Sequence, residues 1–316
     1  MINQKNTRCL LFVVLIIVLF MSCTTNKNTY DPEAPYPGME ILRYSNSLVY
    51  EFPNADSDKL IIVLEGMIWY SVLGYKIDYA WAGTGIALEL LQELRGTHTV
   101  LIPEKTQRLA GQDYYYNVED RKNYTAANLV ACYTDSINSY LNEHEYSSIV
   151  LVGYYEGAVL MPLVYEKMNN KDKVIAMVAV NSEGLSWYEE FQILSKESRQ
   201  SREWLNFFEN ILDTFNPEET EFPDSFEENY LDMTYRYYNS IIHIKPFDYY
   251  QNIDIPVYFV CDDYSYRYAS ESQEYIQENL PEKPFEFGYW DWVEPEKVSQ
   301  KIKFRKDIAE WILALK

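Results

Sequence analysis

The chain has 316 residues, with 48 Asp+Glu against 27 Lys+Arg and a formal net charge of −21. At 47% apolar and 16% aromatic, it has too much hydrophobic surface to stay disordered, and its acidity excludes nucleic-acid binding through a general basic surface. Three His beside 30 Tyr leave little room for a multi-histidine metal centre, so neither a metal nor a cofactor is expected.

At the amino terminus, Lys5 and Arg8 precede an unbroken apolar run of 12 residues, Leu10–Met21. A bilayer core needs roughly 20 residues, so the run fits the apolar region of a signal peptide instead. It closes on Leu19-Phe20-Met21-Ser22-Cys23. This resembles a bacterial lipoprotein signal, in which a small residue precedes the cysteine that becomes lipidated; Phe20 stands where Leu is usual. The resemblance implies a signal peptide over 1–22 and a membrane anchor through lipid on Cys23. It also implies a place in the bacterial cell envelope, periplasmic or surface-facing. Residues 23–40, with Pro32, Pro35 and Pro37, read as a tether, and 41–316 as the folded domain.

Within that domain, Leu42–Phe52 alternates and predicts one or two strands. Leu60–Leu64 (LIIVL) is continuously apolar, as in a strand buried on both faces. Ile86–Leu94 has helical spacing. Thr99–Ile102 predicts a strand, Ala126–Leu141 a helix, Ile149–Val152 a strand, Glu156–Lys167 a helix and Val174–Val180 a strand. Pro256–Val260 then reads as a strand, Ser270–Glu278 as a helix, Phe285–Phe287 as a short strand and Pro295–Leu315 as a closing helix. Alternating strands and helices point to an open, mostly parallel α/β sheet with helices on both faces. The pattern breaks over about 185–254, which reads as an inserted helical cap. The acidic run Glu218–Glu228 reads as a solvated surface. Cys132 and Cys261 fall on a helix and a distant strand, and read as two buried free thiols.

Residues 149–162 (IVLVGYYEGAVLMP) describe a strand, a tight turn and a helix, with Gly153 and Gly157 flanking the turn. A nucleophile elbow needs small residues there so that strand and helix can approach. The stretch resembles the α/β-hydrolase superfamily, especially members whose elbow reads G-H-S-E-G. Gly153, Glu156, Gly157 and Ala158 match; Tyr154 replaces the His and Tyr155 the nucleophilic Ser. The resemblance extends over about 41–316. Leu60–Gly66 (LIIVLEG) is similar to the strand before the oxyanion loop, and Ile102–Lys105 to the next strand exit. Asn181–Gln192 is similar to the start of the cap, and Phe247–Val260 to the return to the sheet.

What the resemblance implies for the triad is a series of departures. The acid position falls on Ser265, with Asp262 and Asp263 adjacent. The base region after the last strand holds Tyr289, Trp290, Asp291 and Trp292, and no histidine. His98 and His144 each precede a strand, whereas sites in such sheets form at the carboxyl ends; His243 lies near the end of the cap. Without a base, a tyrosine is a weak nucleophile, since an unperturbed phenol is only about 0.1% ionised at pH 7. The backbone N–H groups of Met67 and Glu156 can form an oxyanion-hole-like pair able to hold a ligand carboxylate. Tyr154, Tyr155, Trp69, Trp290 and Trp292 would line the vestigial pocket, whose aromatics suit an apolar or sugar-like ligand.

Three functions follow. The first is a lipid-anchored, non-catalytic protein that binds such a ligand or an envelope protein. The second is a working esterase or peptidase with a rearranged site, using Tyr155 or Ser182 with Asp262, Asp263, Asp291 or His243. The third is an acidic interaction scaffold for basic partners.

Overall fold

The computed structural model describes residues 38–44, 47–66, 75–77, 80–82, 90, 93–105, 124–181, 184–196, 199–214, 229–230, 233–262, 266–290 and 297–315. The stretch read as a signal, most of the tether, the greater part of 86–94, the whole acidic run 218–228, and Met67, Trp69, Ser182, Asp263, Ser265, Asp291 and Trp292 lie outside these residues. In chain order the strands are β1 (Glu40–Tyr44), β2 (Ser47–Phe52), β3 (Lys59–Leu64), β4 (Tyr75–Ile77), β5 (Ala80–Ala82), β6 (Thr99–Pro103), β7 (Ser148–Tyr154), β8 (Val174–Val180), β9 (Asn229–Tyr230), β10 (Met233–Thr234), β11 (Val257–Asp262) and β12 (Phe285–Trp290). The helices are α1 (Ala126–Glu143), α2 (Glu156–Lys167), α3 (Trp187–Leu194), α4 (Arg199–Thr214), α5 (Tyr235–Ile241), α6 (Phe247–Tyr250), α7 (Tyr266–Asn279) and α8 (Lys297–Ala314).

Eight strands form one sheet in the order β1-β2-β6-β3-β7-β8-β11-β12. From β6 to β12 every neighbour is parallel, and β1–β2 and β2–β6 are antiparallel. The expected mostly parallel sheet is therefore present. Its central strands divide their side chains between two apolar layers, as a period of two requires. Leu60, Ile62, Leu64, Leu151 and Phe259 face one layer with α1, α2 and α5. Ile61, Val63, Val152, Val178 and Val260 face the other, with Leu90, Leu94 and α8.

Of the expectations at the two ends of this sheet, one is met and one is corrected. The stretch 42–52 forms two strands, within the one or two expected, and all six residues of β2 are buried. Its polar positions are satisfied inside: Glu51 accepts from the Tyr140 hydroxyl at 2.7 Å, and the Ser47 hydroxyl donates to the Glu104 carbonyl at 3.3 Å. The last strand runs on to Trp290 because β11 extends beside it, with Asp262 opposite Trp290. Tyr289 and Trp290 thus belong to the strand and not to the loop after it.

Candidate functional site

The elbow forms where β7 meets α2. Tyr155 has φ 46° and ψ −114°, a conformation that a bulky side chain adopts only under constraint. The constraint is visible. Tyr155 N–H donates to the Val180 carbonyl at 2.9 Å, and its own carbonyl accepts from Ala158 N–H at 2.9 Å and Val159 N–H at 3.1 Å. The glycines permit the close packing that holds this turn. A Cβ on Gly157 would lie 1.9 Å from the Leu64 carbonyl oxygen, and one on Gly153 2.6 Å from Ala158 Cα. Gly66, at the exit of β3, abuts the same turn, since a Cβ there would lie 1.9 Å from the Tyr154 carbonyl oxygen and 2.7 Å from the Glu156 nitrogen. The β3 exit and the Glu156 N–H thus stand side by side, as an oxyanion-type loop requires.

Tyr155 is half-buried, and its ring meets Tyr154 edge-on with centroids 4.5 Å apart. Tyr154, the last residue of β7, packs against the apolar layer that holds α8. These are the two expected pocket aromatics whose side chains the structure describes. The backbones of Tyr289 and Trp290 lie at the carboxyl end of β12, two strands beyond β8 in the sheet order. Met67, Trp69, Asp263, Ser265, Asp291 and Trp292 fall outside the described residues.

The three histidines bond elsewhere. His98 sits just before β6 with Nδ1 2.8 Å from the Thr97 hydroxyl, and burial, with the nearby Lys59 charge, lowers its pKa. His144 ends α1, stacked on Tyr140 at 4.2 Å. His243 is exposed and packs beside Tyr188 at 5.2 Å between ring centroids. Burial lowers its pKa, and the Glu189 charge opposes that shift. The contacts of His243 are therefore with the start of α3 and not with Tyr155.

Around the elbow lie side chains that the sequence gives no reason to pair. Glu156, the first residue of α2, is 1% exposed. Its carboxylate accepts from Tyr124 at 3.1 Å and from Tyr237. Burial, followed by the Glu156 charge and hydrogen bond, drives the Tyr237 phenol far above its ordinary pKa, so it stays a neutral donor. Tyr133 donates to the Glu65 carbonyl at 3.2 Å and so holds the β3 exit. Phenols satisfying buried glutamates recur across the fold: Tyr50 bonds Glu104 at 3.1 Å and Tyr140 bonds Glu51. The tyrosine excess was the available signal, but composition does not say which partners meet.

The crossover from β8 to β11 is pinned by a second polar group. Ser186 caps α3 and exchanges hydrogen bonds with Glu189, a reciprocal cap that closes the helix start. Glu189 also pairs with Lys245 at 2.7 Å, and the Lys245 ammonium lies 4.5 Å from the Tyr275 ring centroid. Glu190 is buried, and that burial, opposed by a hydrogen bond from Ser272, pushes its carboxyl up to about 8. The Ser272 oxygen accepts from Gly184 and Leu185 N–H, both at 2.8 Å.

Cys132 and Cys261, the cysteines among the described residues, form no disulfide. Cys261 is buried as expected, but Cys132 is only partly covered, on the side of α1 next to Ser47, with Sγ 3.3 Å from the hydroxyl. Among the described residues there is no group of three or more candidate metal ligands, and no helix long and apolar enough to cross a membrane.

No family model matches the sequence, and no curated protein matches it. Solved structures do. The chain is similar to a lipase-esterase related protein from Clostridium acetobutylicum, with TM-score 0.52 and 15% identity over 86% of this chain and 100% of that one. It is similar to Est1E from Butyrivibrio proteoclasticus, with TM-score 0.51 and 11% identity over 88% and 97%. It is also similar to the acylaminoacyl peptidase of Pyrococcus horikoshii, with TM-score 0.55 and 11% identity over 94% of this chain but 43% of that one. The parallel sheet, the strained turn after β7 and these likenesses together give the chain the α/β-hydrolase fold.

Proposed function

We propose that this chain is a lipid-anchored protein of the bacterial cell envelope. On this reading it uses a hydrolase-type elbow to bind a small apolar or sugar-like ligand, or an envelope protein, without catalysing hydrolysis. One observation carries the reading: Tyr155 occupies the nucleophile conformation, yet the contacts of His98, His144 and His243 all go to other residues. Serine-type attack depends on a base that removes the proton and an acid that orients the base. None of the three histidines serves as that base at the elbow. It does offer an aromatic pair beside a helix N-terminus, which suits an apolar or sugar-like group that carries a carboxylate. The anchor on Cys23 and the tether would hold the domain at the membrane surface.

The test is a fluorophosphonate label applied to the purified protein, together with turnover of a panel of short acyl esters and peptides. The expected result is no label on any residue near the elbow and hydrolysis at the buffer rate. A label on Tyr155 or Ser182 overturns the reading.

A second reading is favoured by the retained strain at Tyr155, which a pure binding site does not need. In it the chain is an active esterase or peptidase with a rearranged site, as the names of its structural neighbours suggest. It predicts ester turnover that Tyr155→Phe abolishes.

A further inference from the structure

The elbow and the crossover from β8 to β11 meet at one buried carboxylate. Glu156 begins α2, directly after the strained residue Tyr155. Its two donors come from distant parts of the chain: Tyr124, just before α1 and 32 residues away, and Tyr237, in α5 and 81 residues away. Their rings lie 5.2 Å apart, and Glu156, Tyr124 and Tyr237 are 1%, 2% and 0% exposed.

Neighbouring bonds bind the same segments together. The Ser240 hydroxyl, on α5, accepts from Ala126 N–H at the start of α1 at 2.9 Å. Tyr188 N–H, on α3, donates to the Ile242 carbonyl at the end of α5 at 3.0 Å. Thr234 caps α5 by accepting from Tyr237 N–H at 3.2 Å.

Lifting α5 takes Tyr237 away and leaves the Glu156 carboxylate with the Tyr124 donor, a loss that costs stability for as long as the carboxylate stays buried. Helix α5 is thus tied to the start of α2 through Glu156. Glu156 directly follows the strained Tyr155, so a pull on its side chain reaches the turn through one peptide bond.

We propose that the Tyr124–Glu156–Tyr237 clamp makes α5 and the elbow one cooperative unit, so that opening of the crossover above the site and relaxation of the turn at Tyr155 occur together. In this scheme Glu156, Tyr124 and Tyr237 are positioning residues. The clamp regulates access to the site, and that functional meaning rests on the binding reading. The coupling itself belongs to the free protein and is tested without a ligand, so the two ideas can fail separately.

The test is hydrogen–deuterium exchange on the full chain, comparing wild type, Tyr237→Phe and Tyr140→Phe. The last is a matched control, because Tyr140 is also fully buried and donates to a buried glutamate, Glu51, away from the elbow. The informative amides are those of Tyr155, Ala158 and Val159, whose hydrogen bonds define the turn, and those of α5. Tyr237→Phe is expected to accelerate exchange in both groups by about tenfold or more, as local opening of one unit requires. Tyr140→Phe is expected to leave the turn amides unchanged. Acceleration in α5 alone, no acceleration in either group, or equal acceleration at the turn by Tyr140→Phe overturns the proposal. Tyr124→Phe removes the other donor and carries the same expectation if Tyr237→Phe does not fold.

Discussion

The central sheet and the crossover between β8 and β11 share an apolar core but differ in the polar bonds added to it. In β3, β7 and β8 the interior residues are apolar on both faces, and cohesion comes from area removed from water. The crossover is packed on the same core through Phe208, Ile241, Ile242 and Tyr250, and it adds polar bonds that the interiors of those strands do not have: Ser272 to Glu190, Glu189 to Lys245, and Tyr237 to Glu156. The first kind of cohesion is spread over many contacts. The second is concentrated in a few groups, each of which one substitution or one proton can switch off. These polar bonds are therefore where local opening is expected to begin, whereas loss of the shared core is global.

The sharpest break in this contrast should come from the frame. Leu151 is 0% exposed in the middle of β7. Leu151→Ala removes its packing and leaves a cavity, at an expected cost of about 2–5 kcal/mol in a single cooperative transition. If denaturation followed by circular dichroism showed a separate early phase instead, the sheet would not be one unit.

A smaller effect, but one with a pH signature, is expected in the crossover. The folded chain keeps a proton on Glu190 that the unfolded chain releases in the ordinary carboxylate range. Stability should thus fall as pH rises from about 5 toward about 8, the value to which burial pushes this carboxyl. The size is on the order of a few kcal/mol, since each tenfold change in proton affinity is worth about 1.4 kcal/mol. Glu190→Gln keeps the acceptor for Ser272 and has no proton to lose, so its Tm should decline less over that range than the wild type's. Parallel Tm–pH curves would refute the assignment.

The smallest effect belongs to neither region's interior. Arg199 and Glu203 pair at 3.0 Å on α4, with side chains 92% and 62% exposed. Arg199→Ala should change stability by no more than about 0.5 kcal/mol in chemical denaturation. A larger loss would mean that α4 carries more of the crossover than its surface contacts imply.

The two regions were also unequally legible in the sequence. LIIVL over Leu60–Leu64 could be read as a doubly buried strand because its composition is its environment. Gly153 and Gly157 marked the elbow because a turn that tight excludes a Cβ at both positions. The burial of Glu51 and the whole of β2 could not be read, since an alternating strand gives the same pattern whether water or a tyrosine meets its polar face. Nor could the Glu156 clamp, whose donors sit 32 and 81 residues away and become neighbours only after the crossover docks. His243 shows the opposite failure. Its place near the end of the cap made it one possible assistant to Tyr155, but its ring packs beside Tyr188.

The use of phenols as partners for buried glutamates has a consequence for the conditions this protein tolerates. A lysine or arginine in the same role would bring a second charge and an attraction that dissolved ions weaken. Tyr50, Tyr124, Tyr140 and Tyr237 bring a short neutral dipole into a space that ions do not enter. Their bonds should hold almost unchanged from dilute buffer to molar salt, where the Debye length shrinks to about 3 Å. Added salt would meanwhile damp the mutual repulsion of 48 acidic side chains, so an interior wired this way lets a strongly anionic protein gain stability from ionic strength with little to lose by it.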